Sequence, residues 1–271
     1  MTNPVTPTKD IAYGEDPLQV LDLYRPDTDG PVPVVLYLHG GGWQVGDKST
    51  DARERLEALA SRGVAVASAN YRLVPGSTFP AQVNDAKRAV AWLRDNGDQL
   101  GLATERIGVW GASAGGYLAA MLGVTNHDAE LADGLDPDEC RVDAVVDWFG
   151  QSDLRSNSLR SWLEKEILNP PFEQAFLKLD EPSQDTEFVR SASPLLRVTC
   201  DAPPFLIVHG DRDRVTPIGE SAALHDALVR AGAQSTFITL GGAGHESHTS
   251  DRPDHLAMTA AFLLQHLTAS A

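Results

Sequence analysis

The stretch Arg106-Ile-Gly-Val-Trp-Gly-Ala-Ser-Ala-Gly-Gly-Tyr-Leu-Ala-Ala-Met-Leu-Gly-Val124 decides how the rest of the chain is read. Its first five residues form a short apolar run that reads as a strand. Ala114 to Val124 reads as a helix that follows at once. Between them lies Gly111-Ala-Ser-Ala-Gly115, a G-x-S-x-G pentapeptide at a strand-to-helix junction. There the serine sits in a strained turn, and side chains at 111 and 115 would clash with the adjoining strand and helix. The helix N-terminus also favours negative charge developing beside Ser113. The pentapeptide alone is a common mixture of small residues. Its flanking strand and helix are what make Ser113 a candidate nucleophile.

Working outward, Val34-Val-Leu-Tyr-Leu38 reads as a buried strand, and Val64-Ala-Val-Ala67 as the next one. The segment Asp51–Arg62 between them places Leu56, Leu59 and Ala60 on one helical face. Ala86, Ala89, Val90 and Leu93 fall at i, i+3, i+4 and i+7, a second helix, with Asp85 near its start where negative charge suits the dipole. Downstream, Ala144–Phe149, Phe205–Val208 and Thr236–Leu240 read as strands. Helices there carry Leu224, Ala227, Leu228 and Ala231, and then Leu256, Ala260, Leu263, Leu264 and Leu267. Strand and helix in alternation imply right-handed crossovers and a mostly parallel sheet with helices on both faces, an α/β architecture. Near-continuous apolar strands agree with it. Leu18–Tyr24 alternates instead and is expected to be an antiparallel edge strand. Residues 1–271 are expected to form a single domain. Residues 151–194, polar, proline-interrupted and with scattered apolar residues, are expected to be an inserted cap of short helices over the site.

The formal net charge of −16 opposes nucleic-acid binding, which needs basic residues to displace counterions, and opposes adsorption to an anionic membrane. A neutral or cationic substrate is the easier expectation, although acidity also serves solubility. Cys140 and Cys200 are too few for a disulfide framework. No apolar run approaches the length of a membrane span, and the first ten residues lack the apolar core of a signal peptide, so a cytoplasmic location is expected. Oligomeric state is open.

In such sheets, ligands bind where strands end at their carboxyl side. His39-Gly-Gly-Gly-Trp43 follows the strand ending at Leu38. Consecutive glycines free the backbone to turn N–H groups toward a developing oxyanion, each donor contributing about 3–4 kcal/mol to the transition state. Gly41, Gly42 and Ala114, the residue after the serine, are the expected oxyanion donors. The loop lacks the spacing and lysine of a phosphate-binding loop. A base and an orienting acid should follow in the order Ser, Asp or Glu, His. His245 follows the last strand and is the expected base. Asp211 and Asp213 both follow the strand at Phe205–Val208 and both remain open as the acid. His39 is expected to structure its loop, and His209 to be structural. His225, His255 and His266 lie on predicted helices as packing or surface residues. His245-Glu-Ser-His248 is one residue short of H-E-x-x-H, so no metal is expected.

These features extend to Gly46-Asp-Lys48, Tyr71-Arg-Leu73, Phe79-Pro-Ala81, Ser193-Pro194 and His209-Gly-x-x-Asp213, in order. Together they resemble the esterase/lipase branch of the α/β hydrolases, in particular the bifunctional feruloyl/acetyl-xylan esterase-like group and the hormone-sensitive-lipase-like esterases. The resemblance spans roughly residues 10–268. It implies the α/β-hydrolase fold and the triad Ser113, Asp213 and His245, with Asp211 structural and the runner-up acid, and Asp147 and Asp153 remote alternatives after an earlier strand. It also implies that Trp43 and the cap line the substrate pocket, and that no cofactor is needed. In many relatives an aromatic or apolar residue follows a catalytic His-Gly pair, whereas here His245 is followed by Glu246-Ser-His248, which implies a more polar pocket edge. The implied activity is hydrolysis of small to medium carboxylic esters through an acyl-enzyme. An arylformamidase-like amidase would use the same machinery. A binding protein on an inactive scaffold is opposed by the presence of the base, and a long-chain lipase by the absence of an extended apolar lid.

Overall fold

The first strand, β1 (Val5–Ala12), pairs antiparallel with β2 (Val20–Pro26), which pairs antiparallel with β4 (Ala65–Ala69). From there every pairing is parallel: β4 with β3 (Val32–Leu38), then β5 (Leu102–Ala112), β6 (Ala144–Trp148), β7 (Phe205–Gly210) and β8 (Ser235–Leu240). The sheet order is β1-β2-β4-β3-β5-β6-β7-β8. This computed structural model describes residues 4–155, 161–167, 171–179, 186–246 and 248–268.

Both faces of the sheet are covered, as the apolar strands require. Val34, Leu36 and Leu38 of β3 face one core, with α2 (Ala81–Asn96), α3 (Ala114–Val124) and α7 (Gly219–Ala231). Val35 and Tyr37 face the other, with α8 (Pro253–Leu267). Gly108 lets α8 lie close: a Cβ there would stand 3.0 Å from Leu263 Cδ2 and 3.1 Å from Leu267 Cδ1. Each fully buried Leu or Val contributes about 1.5–3 kcal/mol relative to exposure, and these two layers hold most of them.

Three expectations change. The edge strand is β1, not Leu18–Tyr24, and β2 lies one strand inside. β1 reads Val-Thr-Pro-Thr-Lys-Asp-Ile-Ala, mostly exposed and without apolar alternation, while Pro7 and Lys9 suit an edge. The helix over Asp51–Arg62 is π-helical at Ala52–Glu57 and passes into a single turn, α1 (Ala58–Ala60), with Arg55 buried and paired to Asp251. Asp85 acts less on a helix dipole than as the buried acceptor for Arg72 and Gln19. Cys140 and Cys200 are both free thiols.

The cap expected over 151–194 lies partly outside the described residues. Its described parts are α4 (Trp162–Ile167), α5 (Phe172–Leu177) and α6 (Glu187–Ser191). Among the described residues no helix is long and apolar enough to cross a membrane.

The chain runs from β3 sideways to β4, then returns past β3 to β5. The carboxyl ends of β3 and β5 therefore flank a topological switch point, the crevice where such sheets bind ligands. The glycine loop leaves β3 into this crevice, and Ser113 stands at the end of β5.

Candidate active site

Ser113 holds φ 56° and ψ −119° between β5 and α3. Such a backbone is strained for a residue with a Cβ and survives where its surroundings fix it. Its N–H donates to Trp148 O at 2.9 Å. The flanking glycines are obligatory. A Cβ at Gly111 would stand 2.1 Å from Gly115 O, and one at Gly115 would stand 1.9 Å from Leu38 O.

His245, after β8, places Nε2 at 2.9 Å from Ser113 Oγ and Nδ1 at 2.7 Å from Asp213 Oδ2. With Nδ1 protonated, the ring donates to Asp213 and accepts the serine hydroxyl, a chain that can draw the proton from Oγ. Asp213 Oδ1 also accepts the amides of Val215 and Thr216 at 2.8 and 2.9 Å. Burial pushes the Asp213 pKa up, but hydrogen bonds from His209 and His245 outweigh it and hold the carboxyl well below the usual range. Asp211, the other aspartate of the turn, instead accepts the Gly242 N–H at 2.6 Å.

His209 is the part of this arrangement that its motif did not disclose. It is fully buried in β7, with Nε2 at 2.9 Å from Thr216 O and 3.1 Å from Asp213 Oδ2. Two acceptors at Nε2 place a proton there, leaving Nδ1 to accept the Ser221 hydroxyl at 2.7 Å. Asp213 thus receives both imidazoles. One strand away, Asp147 is equally buried but accepts a single amide, that of Gly150 at 2.8 Å. Burial raises its pKa to about 6.

The glycine loop supplies the facing wall. Gly41, Gly42 and Trp43 have φ of 115°, 59° and 59°. Among the described residues, the amides of Gly41, Gly42 and Ala114 donate to no protein acceptor. Ala114 is the first residue of α3, where no intrahelical acceptor exists. His39 shapes the loop as expected: its ring stacks on Tyr71 at 4.4 Å, and the Tyr71 hydroxyl donates to His39 O at 2.8 Å. Trp43 is buried, stacks on Phe176 of α5 at 4.1 Å and lines the cavity at Ser113.

Ser113 opens on a cavity of about 10 Å³, room for one water-sized group. Its walls include Gly42, Trp43, Gln151, Phe172, Val215 and Thr216. A Cβ at Gly42 would stand 3.0 Å from the Phe172 ring, so α5 presses directly on the glycine loop. Phe172 and Gln151 were not separable from the other residues of the cap by sequence, because only tertiary packing brings them to Ser113. Thr216 and Val215 follow Asp213 closely, and that proximity is the signal that could have found them. His225, His255 and His266 lie on α7 and α8.

A mostly parallel sheet with a strained serine after β5, an aspartate after β7 and a histidine after β8 defines an α/β hydrolase. The family model BD-FAE matches residues 21–228, and the chain belongs to that family. Esterase LipC of Mycobacterium tuberculosis is 35% identical over 87% of this chain and 58% of its own length. Ethyl acetate hydrolase of Pseudomonas putida is 30% identical over 90% of this chain and 78% of its own. Among solved structures, a truncated carbohydrate esterase from gut microbiota superposes with a TM-score of 0.81 at 27% identity, covering 99% of this chain and 98% of that one. The chain spans about half the length of the first curated relatives it matches.

Proposed function

We propose that this protein hydrolyses carboxylic esters of short acyl chain, acetates foremost, through an acyl-enzyme on Ser113. The observation that carries the reading is the hydrogen-bond chain Ser113–His245–Asp213, at 2.9 and 2.7 Å, facing three unengaged amides. Ser113 Oγ attacks the ester carbon while His245 Nε2 takes its proton. Asp213, ionised and fixed by its amide donors, holds the ring and stabilises the imidazolium. The amides of Gly41, Gly42 and Ala114 receive the oxyanion. As the intermediate collapses, the carbon–alkoxide bond breaks and Nε2–H passes its proton to the departing alkoxide. Water then attacks the acyl-serine by the same route, releasing the acid and restoring the serine.

The acyl preference rests on the cavity, which holds a methyl group and little more. Relatives named esterase and ethyl acetate hydrolase agree with ester chemistry. The same cavity suits a formyl group, so an arylformamidase is the second reading. Turnover of N-formylkynurenine above that of phenyl acetate would favour it.

Ser113→Ala is expected to abolish p-nitrophenyl acetate hydrolysis while circular dichroism keeps the wild-type spectrum. Full activity in that variant would overturn the assignment. Across p-nitrophenyl esters, kcat/KM should fall steeply from acetate to butyrate to octanoate, by about tenfold or more per step, as methylenes in a closed pocket require. Phe172→Ala should move the preference toward butyrate.

A further inference from the structure

Glu246, the residue after His245, has neither a backbone nor a charge that the fold explains. Its φ is 46°, a left-handed conformation that suits Gly, Asn or Asp and disfavours a glutamate. Such strain at the edge of a site is a reason to ask what the residue does there. The side chain reaches into the crevice. A Cβ on Gly40 would stand 2.7 Å from Glu246 Oε1 and 3.3 Å from Ser113 Cβ, so the carboxylate and the serine flank the same point of the glycine loop. Burial raises the pKa of the Tyr71 phenol beneath that loop, and the nearby Glu246 charge adds to the rise. Among the described residues, no hydrogen bond or ion pair holds the Glu246 carboxylate.

An unpaired carboxylate beside a centre that builds an oxyanion opposes that oxyanion unless something brings a compensating charge. The protein does not bring it, and the substrate can. The position of Glu246 says which half of the substrate. Neither Gly40 nor Glu246 lines the small cavity that takes the acyl group. Glu246 adjoins His245, the group that hands a proton to the departing alcohol. The charge therefore faces the alcohol.

We propose that Glu246 selects the alcohol half of the ester by charge, favouring a leaving group that carries an alkylammonium and turning away one that carries a carboxylate. This rests on the ester-hydrolase reading and adds the substrate class on its alcohol side. The formal charge of −16 acts in the same direction, since the whole molecule attracts cations to the crevice.

Two acetates of nearly equal shape isolate the effect: 2-(dimethylamino)ethyl acetate, protonated at neutral pH, and 3-methylbutyl acetate, its uncharged carbon counterpart. 3-Acetoxypropanoate supplies the anion. The measured quantity is the ratio of kcat/KM for the cation to that for the neutral ester, in wild type, Glu246→Gln and Glu246→Asp, each checked for fold by circular dichroism. The wild-type ratio should exceed that of Glu246→Gln by about fivefold, the scale of one partly exposed charge contact. The anion should be the poorest wild-type substrate and improve in Glu246→Gln. Glu246→Asp should retain part of the cation preference, and salt near 1 M should erase it in both wild type and Glu246→Asp. Equal ratios in wild type and Glu246→Gln at low salt would overturn the proposal. Because p-nitrophenyl acetate is run alongside, an inactive wild type would instead count against the hydrolase reading itself.

Discussion

The two walls of the crevice around Ser113 are made of different material. The wall on β3 and β5 is main chain: Gly40, Gly41, Gly42 and the Ala114 amide, with positive φ at Gly41 and Gly42 that side chains resist. The wall on β7 and β8 is side chain: Asp213 joined to His209 and His245. One is specified by atoms that are missing, the other by atoms that are present. The two should therefore fail in opposite ways, the first when something is added and the second when something is removed.

The largest expected effect is on the side-chain wall. Asp213→Asn removes the acceptor that keeps the His245 proton on Nδ1, and kcat should fall by about 10⁴-fold. Asp211→Asn touches only the Gly242 amide and should leave turnover near wild type. Steady-state kinetics on both variants settles the matter, and the reverse ranking would exchange the roles of the two aspartates. On the main-chain wall, Gly42→Ala adds one methyl at φ 59°, 3.0 Å from the Phe172 ring. It should lower kcat by about 10²–10³-fold, the value of one oxyanion donor. Its urea midpoint should shift far less than that loss implies. Unchanged turnover would remove the main-chain wall from the chemistry.

A smaller effect separates the two buried aspartates of neighbouring strands. Asp213 is ionised by its donors, whereas the Asp147 pKa is raised by burial to about 6. A carboxyl whose folded pKa lies above its unfolded value binds its proton longer in the native state. Stability therefore falls as pH rises through the interval between the two, by about 3 kcal/mol for roughly two pK units. Asp147→Asn lacks that loss. Its stability relative to wild type should climb between about pH 4 and pH 7 and then level off, as measured by urea unfolding. A pH-independent difference would mean that Asp147 ionises like an exposed aspartate.

The central strands and Ser113 were legible because apolar runs, a glycine-bounded serine and a following helix repeat the same message over nearly twenty residues. The glycine loop was legible for the same reason: three glycines in a row have little other use after a strand. Asp213 was not separable from Asp211 by residue type or placement, since the turn geometry that aims one inward and the other at Gly242 is set by Val215, Thr216 and β8. The resemblance supplied that choice. β1 escaped notice because an edge strand with Pro7 needs no apolar alternation. Phe172 escaped because helix α5 carries it to Gly42 over a long excursion of chain. Glu246 was visible as an unusual neighbour of His245, but its left-handed backbone and the approach of its carboxylate to Gly40 belong to the fold.

Helix α8 follows all eight strands in chain order, yet it lies on the middle of the sheet, with Leu263 and Leu267 against Gly108 of β5. During synthesis from the N-terminus, every strand that contributes to the crevice leaves the ribosome before the helix that seals Val35 and Trp110 from water. Until residue 267 emerges, the sheet presents an open apolar face. A translation product interrupted before α8 therefore exposes the surface that chaperones and proteases recognise.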